Sequence, residues 1–318
     1  MKLAFHRREE NPTIGPFIFL ERLIKYIGRQ QGIEIVRNPG RFHELHFINI
    51  SGSGRLADQW RAKKVLRIDG IYHDFSPTRD EQNQGIASTY HSVDGVIFQC
   101  EFARKMLYKH FGKPKQAQHE TIICNGVDES FTPYGEVIDY GFPISIVVSG
   151  KWCWPSKRLP QMVDCFLQIP RDDIGLIILG EAQNRIGHPR IKYFGFIPPD
   201  KLPAYYRGAT VMLHAAYTDW CPNSVVEALA CGVPVITTHN GGVPEIIKGS
   251  GIIIKNEPDY DLEFKDFNNL PALKANLVAE AIDLIVDKRQ DYVTFRPDLT
   301  IEYCGQQYLD FFKKVLNK

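Results

Sequence analysis

The sequence predicts an α/β protein with two domains, each built on a parallel sheet that helices cover on both faces. Short runs rich in β-branched residues alternate with helical patterns along the whole chain. These runs are apolar on both faces, as in strands buried inside a parallel sheet. The chain has 318 residues, a length at which one hydrophobic core usually gives way to two.

Strands are expected where an apolar run is short and bounded by polar or glycine residues. In the first part of the chain they are expected at 1–5, 33–37, 45–50, 64–69, 95–100 and 120–124. In the second part they are expected at 144–149, 174–180, 191–196, 210–215, 234–238 and 251–255. Because the second series repeats the scheme of the first, the pattern favours two Rossmann-like domains.

Helices are expected where apolar residues recur at helical spacing between these strands. The expected helices lie at 16–27, 101–111, 157–167, 199–207, 224–231 and 272–288. A last pattern at 301–316 places Cys304, Tyr308 and Phe312 on one face. For this face, packing on a core is favoured over an aromatic ligand site.

A segment rich in proline, glycine and acidic residues, PYGEVIDYGFP at 133–143, predicts the linker between the domains. We therefore expect one Rossmann-like domain at 1–137 and a second at 138–300. The remaining segment, 301–318, is expected to pack back on the first domain.

Composition and charge exclude several classes of protein. The 38 basic and 37 acidic residues give a net charge of +1, so no global field attracts nucleic acid or an anionic membrane. The apolar stretch in the opening MKLAFHRREE is too short for a signal peptide, and no uncharged run reaches the roughly 18 residues of a membrane span. None of the seven cysteines forms a C-x-x-C pair. We expect a cytoplasmic protein with reduced cysteines and no transmembrane segment.

A polar loop stands in front of one apolar helix, in YTDWCPNSVVEALACGVPVIT at 217–237. Asp219 precedes the loop, and Glu227 lies inside the helix. Ser224 and Glu227 fit a capping box, so a purely structural role for Glu227 stays open. The loop also follows the predicted strand 210–215, at the sheet edge where parallel sheets bind ligands, and a helix start attracts phosphate.

This stretch resembles the acidic-x7-acidic motif of retaining glycosyltransferases with the GT-B fold, in particular family 4. Asp219 and Glu227 are eight residues apart (227 − 219 = 8), and EALACGVPVITTHNGGVPEII matches the family's continuation. IICNGVDESFTP at 122–133 and VSGKWCWPSKRL at 148–159 resemble two further family segments. The family usually has glutamate where Asp219 stands and glycine-phenylalanine-glycine behind it. The shorter acid and the bulkier loop, which begins with Trp220, put the choice of sugar in doubt.

The resemblance implies a GT-B fold, in which an acceptor-side first domain and a donor-binding second domain face a central cleft. It implies that Glu227 accepts hydrogen bonds from the ribose of a nucleotide-diphosphate sugar, and that Asp219 lies near the hydroxyls of the transferred sugar. Lys151 and Lys157 match the basic positions that stabilise the pyrophosphate leaving group, with Arg158 as their neighbour. The backbone amides that would hold the phosphates are those of Asn223, Ser224 and Val225.

Other positions carry weaker implications. Phe196 and Ile197 lie where the family binds the nucleobase. Glu245 follows Gly241 and Gly242, which permit a close backbone approach, although it also suits the first turn of a helix. Gly15 opens the first helix and could meet the donor phosphates, with an ordinary turn glycine as the alternative.

Asp69 and His73 follow the predicted strand 64–69, where an acceptor could bind, although a lone histidine is more often structural. In the front-face mechanism attributed to the family, the leaving phosphate itself takes the acceptor proton. An inverting enzyme would need a base, for which these two residues are the candidates.

The partners and cofactors follow from the same resemblance. We expect a nucleotide-sugar donor and a glycan, lipid-linked or other hydroxyl acceptor, with no nucleic acid, no metal and no further cofactor. The D-x-D sequence at Asp259 and Asp261 favours a solvated loop over a metal site. Peripheral membrane contact, an inverting transferase, a sugar-nucleotide epimerase and a non-catalytic binding protein remain the alternatives, and the oligomeric state stays open.

Overall fold

The computed structural model describes residues 1–6, 15–36, 42–50 and 61–318, and it divides them into two compact units. The first unit comprises Met1–Asp128, Leu262–Lys265 and Asp298–Lys318. The second unit comprises Glu129–Asp261 and Asp266–Pro297. The division at Asp128 lies before the end of the domain expected at residue 137, because the intervening segment is bonded to the second unit. In that segment the Glu136 carbonyl accepts a hydrogen bond of 2.7 Å from Nε of Arg207, which lies in the second unit.

The first unit is built on a six-stranded sheet in which all strands are parallel. Its strands are β1 Lys2–His6, β2 Glu34–Val36, β3 Leu45–Ile50, β4 Lys63–Ile68, β5 Gly95–Phe98 and β6 His119–Ile122, in the spatial order β2-β1-β3-β4-β5-β6. Its first helices are α1 Gly15–Ile27, α2 Arg79–His91 and α3 Glu101–Phe111.

The second unit repeats this architecture with a second six-stranded parallel sheet. Its strands are β7 Ile144–Ser149, β8 Ile174–Leu179, β9 Ile191–Gly195, β10 Val211–His214, β11 Val235–Thr238 and β12 Gly251–Ile254, in the order β12-β11-β10-β7-β8-β9. Its helices are α4 Leu159–Leu167, α5 Leu202–Arg207, α6 Asn223–Ala230, α7 Val243–Ile247, α8 Ala275–Asp287 and α9 Arg289–Tyr292.

The predicted fold class, two parallel α/β sheets with flanking helices, is confirmed. Each of the twelve expected strands is present, with ends within two residues of the expected ones among the described residues. The last residue of the expected strand 33–37 lies outside those residues. Buried β-branched runs leave the backbone little choice except a strand, which is why this part of the prediction succeeds.

Helix α2 was not predicted, because it lacks an apolar stripe. Four of its residues are buried, and two of these, Asn83 and Thr89, are polar. Asn83 bonds to the main chain of Tyr72 through both its amide oxygen and its amide nitrogen. Tertiary hydrogen bonds therefore help to hold this helix in place. Such bonds leave no periodic pattern of apolar residues in the sequence, so the helix could not be predicted from it.

The final helix, α10 Ile301–Val315, belongs to the first unit. The rings of Tyr308 and Phe312 pack on Phe47 of β3, with centroids 5.8 and 5.5 Å away. Both side chains are fully buried, and burial of such a ring contributes roughly 2 kcal/mol. The cysteine, tyrosine and phenylalanine face of this helix is thus part of the core.

Within the described ranges, none of the helices has the length and apolar character that crossing a membrane requires.

Candidate functional site

Three loops meet at the carboxyl edge of the second sheet, where open parallel sheets bind ligands. The loop after β7 carries Lys157, the loop after β10 carries Asp219, and the loop after β11 carries Gly241. Backbone hydrogen bonds tie them together. The Tyr217 amide donates to the Ser156 carbonyl at 2.9 Å, and the Gly242 amide donates to the Asp219 carbonyl at 2.7 Å.

Gly241 is required for this close approach. Its φ is +94°, and a Cβ atom there would lie 2.8 Å from both the amide nitrogen and the carbonyl oxygen of Asp219. No side chain fits so close to a backbone. The glycine pair therefore fixes the loop that carries Asp219.

Asp219 is the centre of a charged cluster. Its Oδ2 atom forms an ion pair with the Lys157 ammonium and lies 3.3 Å from Nε2 of His214. Its Oδ1 atom accepts a hydrogen bond of 3.0 Å from the Trp220 amide. Burial opposes the charge of Asp219, but Lys157 and His214 outweigh it and hold the pKa of the carboxyl below its ordinary value. Asp219 is therefore ionised at neutral pH.

This cluster makes the stability of the protein depend on pH in the acid range. Because the pKa of Asp219 is lower in the folded chain than its ordinary value of 3.8, its contribution is present above about pH 4. As the pH falls through the folded pKa, that contribution is lost. The difference in unfolding free energy between the wild type and Asp219→Asn should therefore shrink between pH 5 and pH 2, measured by urea titration. A difference that stays constant with pH would contradict this prediction.

The capping box expected from Ser224 and Glu227 is wrong. Helix α6 begins at Asn223, and its N-cap is Pro222, whose carbonyl accepts from the amides of Val225 at 3.1 Å and Val226 at 3.3 Å. The extended Pro222, with φ −68° and ψ 126°, is an N-cap two residues before the expected one, Ser224. Glu227 is therefore not at the N3 position of a capping box.

The start of α6 meets the expectations for phosphate binding in part. Asn223 and Ser224 are half-buried at the first turn, which carries the partial positive charge of the helix. Val225 is fully buried, and its amide already donates within the helix. The amide of Val225 is thus a poorer candidate for a phosphate contact than the sequence indicates.

Glu227 is buried, with 5% of its surface exposed, and it has a polar neighbour that the sequence did not reveal. The hydroxyl of Tyr206 lies 3.3 Å from Oε2 of Glu227 and 2.9 Å from Oγ of Ser149, at the end of β7. Burial, and then the charge of Glu227, raise the pKa of Tyr206 well above its usual value, so the phenol stays protonated. The arrangement allows Ser149 to donate to Tyr206, and Tyr206 to donate to Glu227.

The two lysines and the arginine after β7 lie in different environments. Lys151 is exposed and forms no ion pair with a described residue, whereas Lys157 is paired with Asp219. Arg158 is fully buried in an αL conformation with φ 58°. Its guanidinium lies 3.4 Å from the carboxylate of Glu257, which is also buried. Arg158 is therefore a structural cation of the second unit, which corrects its expected place beside a donor phosphate.

The remaining expected donor positions are spread along the same unit. Phe196 follows β9 with 60% of its surface exposed, and its amide donates to Glu181 at 3.0 Å. Ile197 is buried beside it. Glu245 is exposed in the first turn of α7, behind the Gly241 loop.

Asp259 of the D-x-D sequence lies in an exposed loop, beside an imidazole and an ammonium group. Its Oδ1 atom is 3.0 Å from Nε2 of His239 and 3.7 Å from the Lys255 ammonium.

In the first unit, Asp69 lies in a polar cluster at the carboxyl ends of four strands. It pairs with Arg67 and accepts a 2.7 Å hydrogen bond from Gln99. Arg67 is fully buried and also donates to Asn49 at 2.8 Å and to Asn125 at 2.6 Å. Burial raises the pKa of Asp69, and Arg67 opposes the rise.

Asp69 was the member of this cluster that the sequence identified. The other members of the cluster could have been identified from the sequence in the same way, because each is a polar residue at or just after the end of an apolar strand.

The other two expected residues of this unit are less informative. His73 is buried, with Nδ1 3.0 Å from the Ile71 carbonyl, and its own carbonyl accepts from the Lys265 amide at 2.9 Å. Gly15 is the exposed first residue of α1. These contacts fit a structural role for His73 better than a role as a base.

Two six-stranded parallel sheets and a charged site at the carboxyl edge of the second define the class of GT-B glycosyltransferase folds. The family model described as Glycosyl transferases group 1 matches residues 143–263. Part of the second unit is thus similar to the glycosyl transferases group 1 family, which agrees with the resemblance to glycosyltransferases identified from the sequence.

Solved structures agree on the fold over the whole chain. Sucrose-phosphate synthase from Thermosynechococcus elongatus is similar with a TM-score of 0.74 and 15% identity, over 99% of each chain. HepE from Anabaena, in complex with UDP-glucose, is similar with a TM-score of 0.69 and 15% identity, over 99% of this chain and 100% of its own. At such low identity these similarities establish the fold alone.

Among curated proteins, the O-antigen chain mannosyltransferase B of Escherichia coli is 23% identical over 128 residues. The match covers 39% of this chain and 30% of the mannosyltransferase, so the chain spans less than a third of that relative's length.

Proposed function

We propose that the protein is a retaining glycosyltransferase that moves a sugar from a nucleotide-diphosphate sugar to a hydroxyl group, without a metal ion. The observation that carries this proposal is the Lys157–Asp219 pair at the carboxyl edge of the second sheet, beside the start of α6. The pair offers a cation for the diphosphate and an ionised carboxylate for the hydroxyls of the sugar. The match of residues 143–263 to the model of the glycosyl transferases group 1 family supports it.

In this proposal each part of the donor has its own group. The diphosphate lies against Lys157, Lys151 and the first turn of α6, the ribose hydroxyls donate to Glu227, and the sugar hydroxyls donate to Asp219. The presence of UDP-glucose in the HepE structure supports a uridine nucleotide as the donor.

The reaction breaks the bond between the anomeric carbon and the β-phosphate oxygen, and the bonding electrons pass to that oxygen. The ammonium of Lys157 stabilises the charge that develops there, and so replaces a metal ion in this role. The acceptor hydroxyl attacks the same face of the sugar, and its proton passes to the departing phosphate oxygen. The configuration at the anomeric carbon is therefore retained without a protein base.

The acceptor belongs to the first unit in this proposal. Asp69 accepts hydrogen bonds from Arg67 and Gln99, and its Oδ2 atom has no hydrogen-bond partner among the described residues. That oxygen is buried, so an acceptor hydroxyl would donate to it only after the side chain of Asp69 moves. A glycan or a lipid-linked saccharide has hydroxyl groups of this kind.

The first test is thermal stabilisation and donor hydrolysis with UDP-, GDP-, ADP- and TDP-sugars, each with and without EDTA. We expect one nucleotide family to stabilise the wild type equally in both conditions, and Glu227→Ala to lose that stabilisation. Glu280→Ala, on the exposed face of α8, is the matched control and should behave as the wild type.

Each other outcome overturns a stated part of the proposal. Loss of binding in EDTA would overturn metal independence, and a product of inverted configuration would overturn retention. A changed nucleotide sugar formed without acceptor would indicate an epimerase. Binding without turnover of any donor would indicate a non-catalytic protein.

Tyr206→Phe tests the assignment of Glu227 to the ribose. The variant removes the hydroxyl that holds Glu227, so we expect the Kd of the nucleotide to rise about fivefold, which corresponds to the roughly 1 kcal/mol of one hydrogen bond. Tyr140→Phe is the control, because that buried hydroxyl donates to the Tyr205 carbonyl at 2.6 Å. It should lose stability without losing nucleotide affinity, as measured by isothermal calorimetry. Equal nucleotide affinities in the two variants would contradict the assignment.

A further inference from the structure

His214 is the last residue of β10 and is nearly buried, with 6% of its surface exposed. In the sequence it lies near the end of a predicted apolar strand, and the proposed reaction assigns it no role. Yet its Nε2 atom lies 3.3 Å from Oδ2 of Asp219, the oxygen that also pairs with Lys157. A buried imidazole against a buried carboxylate at a candidate site calls for a chemical explanation.

The second nitrogen of the ring indicates which tautomer is present. The Nδ1 atom of His214 is buried and has no hydrogen-bond partner among the described residues. A proton on Nδ1 would leave a buried donor without a described acceptor, whereas a proton on Nε2 is accepted by Asp219. A proton on Nε2 is therefore the arrangement that fits, and Nε2 donates it to the carboxylate.

Lys157 faces two demands that conflict. In the structure its ammonium pairs with Asp219, whereas in the proposed reaction the same ammonium stabilises the diphosphate. When Lys157 turns to the phosphate, the Oδ2 atom of Asp219 loses its ion pair. Among the described residues, the contacts that remain to the carboxylate are His214 at Oδ2 and the Trp220 amide at Oδ1.

We propose that His214 is a positioning residue, which holds the Asp219 carboxylate in place for the sugar while Lys157 binds the donor diphosphate. This role rests on the proposed function of Asp219. It requires a donor at the place of Nε2, and it does not require a change in the charge of His214. Glutamine carries an amide nitrogen at a similar reach, whereas leucine has similar bulk and no donor.

The experiment compares His214→Gln and His214→Leu with the wild type, using the nucleotide sugar that the donor panel identifies. We expect His214→Leu to lower kcat about 50-fold, in the range for loss of one oriented group in an active site. The Kd of the free nucleoside diphosphate, which lacks the sugar, should change less than twofold. His214→Gln should recover kcat to within about fivefold of the wild type. The proposal would be overturned if the two variants lost kcat equally. It would also be overturned if His214→Leu weakened nucleotide binding by the same factor as it lowers kcat.

A second measurement needs no turnover. The carboxyl carbon of Asp219, observed by NMR and assigned with Asp219→Asn, should titrate at higher pH in His214→Leu than in the wild type, with His214→Gln close to the wild type. An unchanged titration in His214→Leu would overturn the positioning role whether or not the protein is an enzyme. If instead the titration shifts but the wild type turns over no donor, the proposed function fails and the contact between His214 and Asp219 stands.

Discussion

Lys157→Met is expected to lower kcat about 1000-fold, the largest loss of activity that the site predicts. The cation of Lys157 interacts with a diphosphate whose charge grows as the glycosidic bond breaks, so it stabilises the transition state more than the bound donor. We therefore expect a smaller change in the KM of the donor, of about fivefold. Steady-state kinetics at saturating acceptor separate the two effects.

The same substitution affects stability, and this effect must be separated from catalysis. The side chains of Lys157 and Asp219 are 26% and 13% exposed, so removing the ammonium leaves a largely buried carboxylate without its ion pair. We expect a loss of about 2 kcal/mol in unfolding free energy. The double variant Lys157→Met, Asp219→Asn should recover most of this stability, because it no longer has an unpaired carboxylate charge. It should remain inactive, because it still lacks the ammonium.

Lys201→Met is the matched control for Lys157→Met. Lys201 is exposed in the same unit, and its ammonium is 4.0 Å from Asp200, a contact that contributes little. Its kcat and unfolding free energy should match those of the wild type. A Lys157→Met enzyme with kcat within threefold of the wild type would show that the diphosphate is stabilised elsewhere, with Lys151 as the next candidate.

The strands and the two acids of the site could be predicted from the sequence because each depends on local information. A buried apolar run specifies a strand. Asp219 and Glu227 belong to one short motif, and they lie on the loop and the helix that this motif predicts. The position of Gly241 was predicted for the same reason, since a glycine in a loop indicates a close backbone approach.

Arg158 and His214 show what local information cannot provide. Arg158 stands beside Lys157 in a basic motif, but its partner Glu257 is 99 residues away. His214 ends an apolar run, and its role depends on a side chain in the following loop. In both cases the tertiary contact decides between surface and interior, and between a structural and a chemical role.

Arg158→Met is expected to cause the largest loss of stability among these substitutions, about 4 kcal/mol. The side chains of Arg158 and Glu257 are both fully buried, and the guanidinium also donates to the carbonyls of Pro271 and Ala215. Without the cation, Glu257 retains the neutral amide of Asn256, whose Nδ2 atom is 2.6 Å from Oε2. A neutral amide does not compensate a buried charge, so the melting temperature of the second unit should fall by about 10 °C in calorimetry.

The companion variants decide whether the uncompensated charge is the cause. Arg158→Met with Glu257→Gln should recover at least half of the loss, because removing both charges also removes the cost of burying one alone. Arg171→Met is the surface control, since Arg171 is 28% exposed and pairs with two exposed carboxylates, Asp173 at 2.6 Å and Asp283. It should lose less than about 1 kcal/mol. If Arg158→Met lost no more than this control, the buried pair would not be what holds the loop after β7. Because Lys157 directly precedes Arg158 in that loop, a loss of the anchor should also lower the activity that depends on Lys157.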